Sequence, residues 1–277
     1  MTEKGYSWVS DEGIEIKAAE WRPEGVPSRV IVLVHGIGEH FGRYRHVGER
    51  LAKAGTAFLV FDLPGHGTSG GKRGCASFAA VHRLIDRQLE EAGRRFPGLP
   101  VFLYGHSLGG AVALSYLIGR RPAIAGAVVT SPAIELGQKV PAAKVALAKL
   151  LAGILPSLTM PSGLDCSVLS SDPAVVKAYV EDPLVHPMVS TRLGLDLMSA
   201  GEGILAGKAS ITLPLFLAQG SKDGNVSPRG AERFAEGAGP NLAFHRYEGW
   251  FHELHNEPGK ERFFQDLLSW LEGTKGA

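Results

Sequence analysis

Short runs of branched and aromatic residues recur along the chain, separated by polar segments of helical length. Val30–Val34, Ala57–Phe61, Val101–Tyr104 and Gly126–Thr130 are free of polar alternation, which predicts strands buried on both faces of a parallel sheet. Candidate helices near 43–54, 77–95 and 108–120 fill the gaps, long enough to serve as crossovers in βαβ units. Ahead of them, Tyr6–Val9 and Ile14–Trp21 flank the turn-like Asp11-Glu-Gly13 and predict an antiparallel hairpin at a sheet edge. The rhythm stops after Ser131-Pro132. It resumes at Leu213–Leu217, followed by a helix near 228–237, a strand near 242–247 and a final helix near 258–272.

Residues 132–212 therefore read as an inserted, mainly helical cap on a sheet domain made of 1–131 and 213–277. Within the cap, Lys144–Leu155 is amphipathic: at about 100° per residue Leu147, Leu150, Leu151, Ile154 and Leu155 share one face, with Lys149 opposite. Such a face packs on the sheet domain, lines an acyl channel or touches lipid, and these readings are compatible with one another.

Composition narrows the classes. With 277 residues, 44% of them hydrophobic, and two Cys, the chain can bury a large core without a metal or disulfide. Cys75 and Cys166 are expected as free thiols. A formal net charge of +1 offers little field for a phosphate backbone, so no nucleic-acid partner is expected. The N-terminus lacks the apolar run of a secretory signal. The stretch 140–160 is broken by Lys144, Lys149 and Pro156, so it does not read as a spanning helix. The expectation is a cytoplasmic protein whose cap makes transient contact with a membrane surface.

The strongest chemical signal is Gly105-His-Ser-Leu-Gly109 between a predicted strand and a predicted helix. Glycines there permit a sharp turn that presents Ser107 as a nucleophile. A serine hydroxyl needs an imidazole to take its proton, and the imidazole needs an acid to fix its tautomer. Asp223 follows the strand 213–218 and His252 follows the strand 242–247. Both are thus expected beside Ser107 beyond the carboxyl ends of the strands. The oxyanion of acyl transfer should be met by the backbone N–H groups of Leu108 and of Ile37, in the loop His35-Gly-Ile-Gly38. His35 is read as a brace for that loop and Asp62 as a tie for a Gly-rich turn. Two other patterns carry no site. Gly65-His-Gly-Thr-Ser-Gly70 neither follows a strand directly nor opens a helix, as a dinucleotide fingerprint must. His252-Glu-Leu-His255 is one residue short of the i,i+4 zinc signature, so no metal or other cofactor is expected.

Together these segments resemble the monoacylglycerol lipase and lysophospholipase branch of the α/β-hydrolase superfamily. The resemblance rests on His35-Gly-Ile-Gly-Glu-His-Phe-Gly-Arg-Tyr44, Phe61-Asp-Leu-Pro-Gly-His-Gly-Thr-Ser69, Gly105-His-Ser-Leu-Gly-Gly110, Ser131-Pro-Ala-Ile134, Gly220-Ser-Lys-Asp223 and Tyr247-Glu-Gly-Trp-Phe-His-Glu253. It implies an α/β-hydrolase fold and hydrolysis of a single fatty acyl ester, the chain lying under the cap and a small polar alcohol leaving from a narrower pocket. Glu39, Arg43 and His255 adjoin the catalytic loops and are candidates for that polar pocket, with a local Glu39–Arg43 ion pair as the plainer reading. Leu147, Leu150, Leu151 and Ile154 are candidates for the acyl channel. Lysophospholipase, general short- or medium-chain carboxylesterase and thioesterase activities stay open, and a noncatalytic binding module is the reading from another class. Acyl preference and oligomeric state are not legible.

Overall fold

The computed structural model describes residues 1–138 and 142–274, without the side chains of Ala142, Ala143, Lys144 and Leu147. An antiparallel pair, β1 (Thr2–Val9) and β2 (Glu15–Arg22), precedes β3 (Arg29–Val34), α1 (Arg45–Lys53), β4 (Thr56–Phe61), α2 (Phe78–Arg95), β5 (Val101–His106), α3 (Leu108–Arg120) and β6 (Gly126–Thr130). The inserted segment holds α4 (Ala142–Ile154), β7 (Thr159–Pro161), α5 (Pro173–Glu181), β8 (Met188–Ser190) and α6 (Thr191–Gly207). The alternation closes with β9 (Leu215–Gly220), α7 (Pro228–Ala235), β10 (Leu242–Tyr247) and α8 (Lys260–Gly273).

Eight strands form one sheet in the order β1-β2-β4-β3-β5-β6-β9-β10. It is parallel from β4 to β10 and antiparallel only at the β1 edge. The molecule has the α/β-hydrolase fold. Every residue of β4, β6 and β9 is buried, which is why these strands read as unbroken apolar runs. One sheet face packs Val32, Leu59, Leu103 and Val129 with residues of α2 and α3. The other packs Ile31, Phe58, Phe102 and Phe216 with α1 and α8.

From β3 the chain steps to β4 on one side and then to β5 on the other. Strand order therefore reverses between β3 and β5, which opens a crevice beyond their carboxyl ends. One helix begins later than its sequence pattern. A 3₁₀ turn, Phe41–Tyr44, precedes α1, because the His40 side chain accepts the Gly42 N–H and Asp62 Oδ1 accepts the Phe41 N–H at 2.8 Å. Those tertiary bonds are absent from local periodicity.

Candidate active site

β5 ends at His106 and α3 starts at Leu108, so Ser107 alone makes the turn, at φ 54° and ψ −116°. An L-residue adopts that region only when its surroundings enforce it. Here Ser107 N–H donates to Thr130 O at 3.0 Å, and Ala111 and Ala133 N–H both donate to Ser107 O at 3.1 Å. The flanking glycines are a packing requirement. A Cβ on Gly105 would sit 2.8 Å from Ala113 Cβ, and one on Gly109 would sit 2.6 Å from His35 O and closer still to Val34 O. Only bare backbone lets α3 start this near to β3 and β5.

The acid and base arrive from the carboxyl ends of β9 and β10. His252 Nε2 lies 2.9 Å from Ser107 Oγ, and His252 Nδ1 lies 2.7 Å from Asp223 Oδ2. With Nδ1–H donating to the carboxylate, Nε2 is free to accept the serine proton. Asp223 Oδ1 also accepts N–H groups of Asn225 and Val226, each at 3.0 Å, and Oδ2 accepts Gln219 Nε2–H at 2.9 Å. Burial acts to raise the Asp223 carboxyl, but the imidazole and these donors hold it below its ordinary value. Burial likewise disfavours the His252 imidazolium, yet Asp223 outweighs it, helped by Glu253 and Glu39, and the imidazole is raised. Ser131 Oγ–H fixes the loop by donating to His252 O at 2.6 Å.

The loop after β3 faces this elbow. Among the described residues the N–H groups of Ile37 and Leu108 have no hydrogen-bond partner, and Leu108 opens α3, where a helix favours negative charge. His35 braces the loop: its Nδ1–H donates to Gly36 O at 2.8 Å while its Nε2 accepts Leu63 N–H at 3.1 Å. Burial keeps it neutral. Asp62 ties the Gly-rich turn by accepting Thr68 N–H at 2.8 Å.

Behind the loop lies a buried charge cluster. Arg43 NH1 donates to Glu39 Oε2 and Glu253 Oε1, both at 2.6 Å, and its NH2 donates to Glu253 Oε2 at 2.7 Å. Glu39 Oε1 accepts Gly36 N–H at 2.6 Å and Tyr44 O–H at 2.8 Å. Burial opposes the Glu253 carboxylate, but Arg43 holds the group far below its usual range. The cleft beside Ser107 is lined by Ile37, Glu39, His106, Tyr179 and Glu253, among others. Arg43 and His255 stand outside that lining. Of the three polar-pocket candidates, Glu39 lines this cleft, and Arg43 is turned onto carboxylates. The 3₁₀ turn Leu254–Asn256 folds His255 fully inside, stacked on Tyr44 at 4.9 Å. Glu253 takes their place at the cleft. Sequence reading missed it, because its partner Arg43 is 210 residues away.

The inserted segment is fastened to all of these loops. Glu253 N–H donates to Leu169 O at 2.7 Å, His186 N–H to Gly38 O at 2.9 Å and Asp165 N–H to Asn225 Oδ1 at 2.9 Å. Leu164, Leu169 and Tyr179 line the cleft beside Ser107, whose volume is about 10 Å³. α4 points elsewhere. Leu150 is 60% and Ile154 67% exposed, so neither lines an enclosed channel, contrary to that part of the expectation; Leu151 is half-buried, and the Leu147 side chain lies outside the described residues. The stripe is present, but its outer part faces solvent because α4 packs through its other face on α6.

A larger groove, about 380 Å³, runs between the β1–β2 turn and α2. Its Arg83 pairs with Asp11 and Glu12, and it lies away from the serine. Among the described residues no His, Cys, Asp and Glu cluster suits a metal, and no helix is long and apolar enough to cross a membrane. Cys75 and Cys166 are free thiols.

The sequence matches the family model Hydrolase_4, described as serine aminopeptidase, S33, over residues 25–259. A monoacylglycerol lipase of Mycolicibacterium smegmatis is 32% identical over 280 residues, covering 98% of this chain and 97% of that one. Phospholipase YtpA of Bacillus subtilis is 35% identical, with 86% and 93% covered. The crystal structure of Paleococcus ferrophilus monoacylglycerol lipase matches with a TM-score of 0.87 at 37% identity, covering 94% of this chain and 99% of that one.

Proposed function

The chain belongs to the Hydrolase_4 family of α/β-hydrolases, and from that premise we propose that it is a serine carboxylic ester hydrolase. Its substrates in this reading are monoacylglycerols, split into fatty acid and glycerol. The observation that carries the reading is the unbroken hydrogen-bonded line from Ser107 through His252 to Asp223, set on a serine held at positive φ. Ser107 Oγ attacks the ester carbonyl as His252 Nε2 takes its proton. Charge developing on the carbonyl oxygen is met by the N–H groups of Ile37 and Leu108, a stabilisation worth about 3–4 kcal/mol per donor. His252 then gives the proton to the leaving alcohol oxygen, which departs and leaves an acyl-Ser107. Water attacks this ester, His252 takes the water proton and returns it to Ser107 Oγ, and the fatty acid is released.

Residues 1–131 and 213–277 make the catalytic unit, and 132–212 serve as its cap. The free space of about 10 Å³ beside the serine has room for about one water. Leu164, Leu169 and Tyr179 line this space and are the cap side chains that make way for an acyl chain in this reading. Outside the cap, the exposed Leu150, Ile154, Leu155 and Leu158 form the face that rests on lipid where the substrate is dissolved.

The test is release of fatty acid from a monoacylglycerol by the wild type and by Ser107→Ala. Turnover should be lost in the variant while the melting temperature is retained, and a folded variant with wild-type turnover would refute the assignment. Lysophospholipid cleavage is the second reading; the Bacillus subtilis relative, named a phospholipase, supports a phosphate-bearing ester as substrate.

A further inference from the structure

Both readings share the acyl chemistry and differ in the charge of the alcohol, and the cluster beside Ser107 bears on that difference. We propose that Glu253, acting with Glu39, makes the leaving-group side of the cleft exclude anions, so that esters of uncharged polyols are selected over esters of phosphate-bearing alcohols. This rests on the ester-hydrolase reading above.

Two carboxylates and one guanidinium leave the trio with a net charge of −1. Glu39 and Glu253 line the cleft, whereas Arg43 is not in its lining, and no Lys or Arg lines it among the described residues. The guanidinium is already engaged: its contacts with the two carboxylates occupy one edge, and the Tyr179 ring covers one face at 4.6 Å from the centroid. His106 and His255 add no positive charge, and the His252 imidazole is paired with the Asp223 carboxylate. Burial brings His106 down to about 3 and holds His255 well below its ordinary value.

Acceptor counting points the same way. Each carboxylate oxygen accepts about two hydrogen bonds. Glu39 Oε1 is filled by Gly36 N–H and Tyr44 O–H, and Glu253 Oε2 by Arg43 and Asn256 Nδ2–H. Among the described residues Glu39 Oε2 and Glu253 Oε1 each accept only from Arg43, so one acceptor position remains on each. A monoacylglycerol brings two free hydroxyls as donors. 1-Acylglycerol 3-phosphate keeps one of those two hydroxyls, and in place of the other brings a group rich in acceptors whose negative charge faces the carboxylates. For two unit charges of like sign about 8 Å apart in an effective dielectric of about 20, the repulsion amounts to roughly thirtyfold in a binding ratio. Salt screens such a buried charge poorly.

The experiment compares kcat/KM for a 1-monoacylglycerol, the 1-acylglycerol 3-phosphate of equal chain length and the p-nitrophenyl ester of that acid, each below its micellar concentration. Wild type and Glu253→Gln are measured side by side. The wild type should favour the neutral over the phosphorylated glycerol ester by at least tenfold, and Glu253→Gln should reduce that ratio severalfold. A general catalytic loss cancels in the ratio. An unchanged ratio in a variant that still turns over the p-nitrophenyl ester overturns the proposal, as does a wild type that prefers the phosphate. Should Glu253→Gln fail to fold, the wild type alone decides. Glycerol should inhibit p-nitrophenyl ester turnover at lower concentration than glycerol 3-phosphate, and the reverse order overturns the proposal. Absence of turnover on all three esters would instead remove the ester-hydrolase reading on which it rests.

Discussion

Replacing Gly109 with alanine should damage catalysis far more than its one added methyl suggests. The new Cβ would stand 2.6 Å from His35 O and nearer still to Val34 O, while real contacts of this kind are rarely below about 3 Å. Relief requires a displacement of at least 0.4 Å (3.0 minus 2.6), between backbone segments with no flexible side chain to give way. Those segments are the start of α3, which carries Leu108 N–H, and the end of β3, which leads to Ile37 N–H. Parting them opens the space where both donors must meet one oxygen. Loss of one such donor costs about 10²–10³ in kcat, and overpacking a core typically costs about 1–3 kcal/mol of stability. The assay is kcat on a soluble p-nitrophenyl ester beside thermal melting. A folded Gly109→Ala protein with kcat within threefold of wild type would refute the account of this elbow.

Other perturbations follow from the same geometry. His252 must be neutral to accept the serine proton and its imidazole is raised, by Asp223 first and then by Glu253. The acidic limb of the kcat/KM profile should therefore lie above the ordinary histidine value of 6.5, and Glu253→Gln should move it to lower pH; no movement would show that this carboxylate does not reach the imidazole. Because the folded-state Glu253 carboxyl is depressed, its ion pair stabilises the protein fully above the ordinary value of 4.5 and loses that contribution as pH falls toward the depressed value. Stability of Glu253→Gln should accordingly depend less on pH below 4.5 in denaturant titrations. Phe216, fully buried in β9 beneath the Asp223 loop, should cost about 3–5 kcal/mol when cut to alanine, seen as a melting temperature lower by roughly 10 °C. Leu150→Asp with Ile154→Asp should lower co-sedimentation with neutral liposomes while leaving p-nitrophenyl ester turnover unchanged; equal sedimentation would remove the lipid-facing role of α4.

The central strands were legible to within about two residues because burial on both faces leaves apolar runs with sharp ends. The juxtaposition of Ser107, His252 and Asp223 was legible for a related reason: each follows a strand, so chain order and strand ends together imply one crevice. Elsewhere tertiary bonds decided. α1 starts after a 3₁₀ turn because Asp62 and His40 hold that turn's N–H groups, and no local pattern encodes their arrival. Periodicity showed which α4 residues share a face, yet the face's direction depends on α6, which packs from the other side. Glu253 stood in plain view between two histidines. Its importance comes from Arg43, and a partner so distant in sequence leaves no spacing to read.

The central claim is that Ser107 carries the acyl group during turnover. Rapid mixing with a p-nitrophenyl ester, acid quenching and mass analysis of the peptide spanning residues 101–120 test it most directly. The peptide should gain the mass of one acyl group on Ser107 during the burst, and Ser107→Ala should show neither the adduct nor the burst. Steady hydrolysis by a folded Ser107→Ala protein, or an acyl group found on another residue while Ser107 stays unmodified, would contradict it.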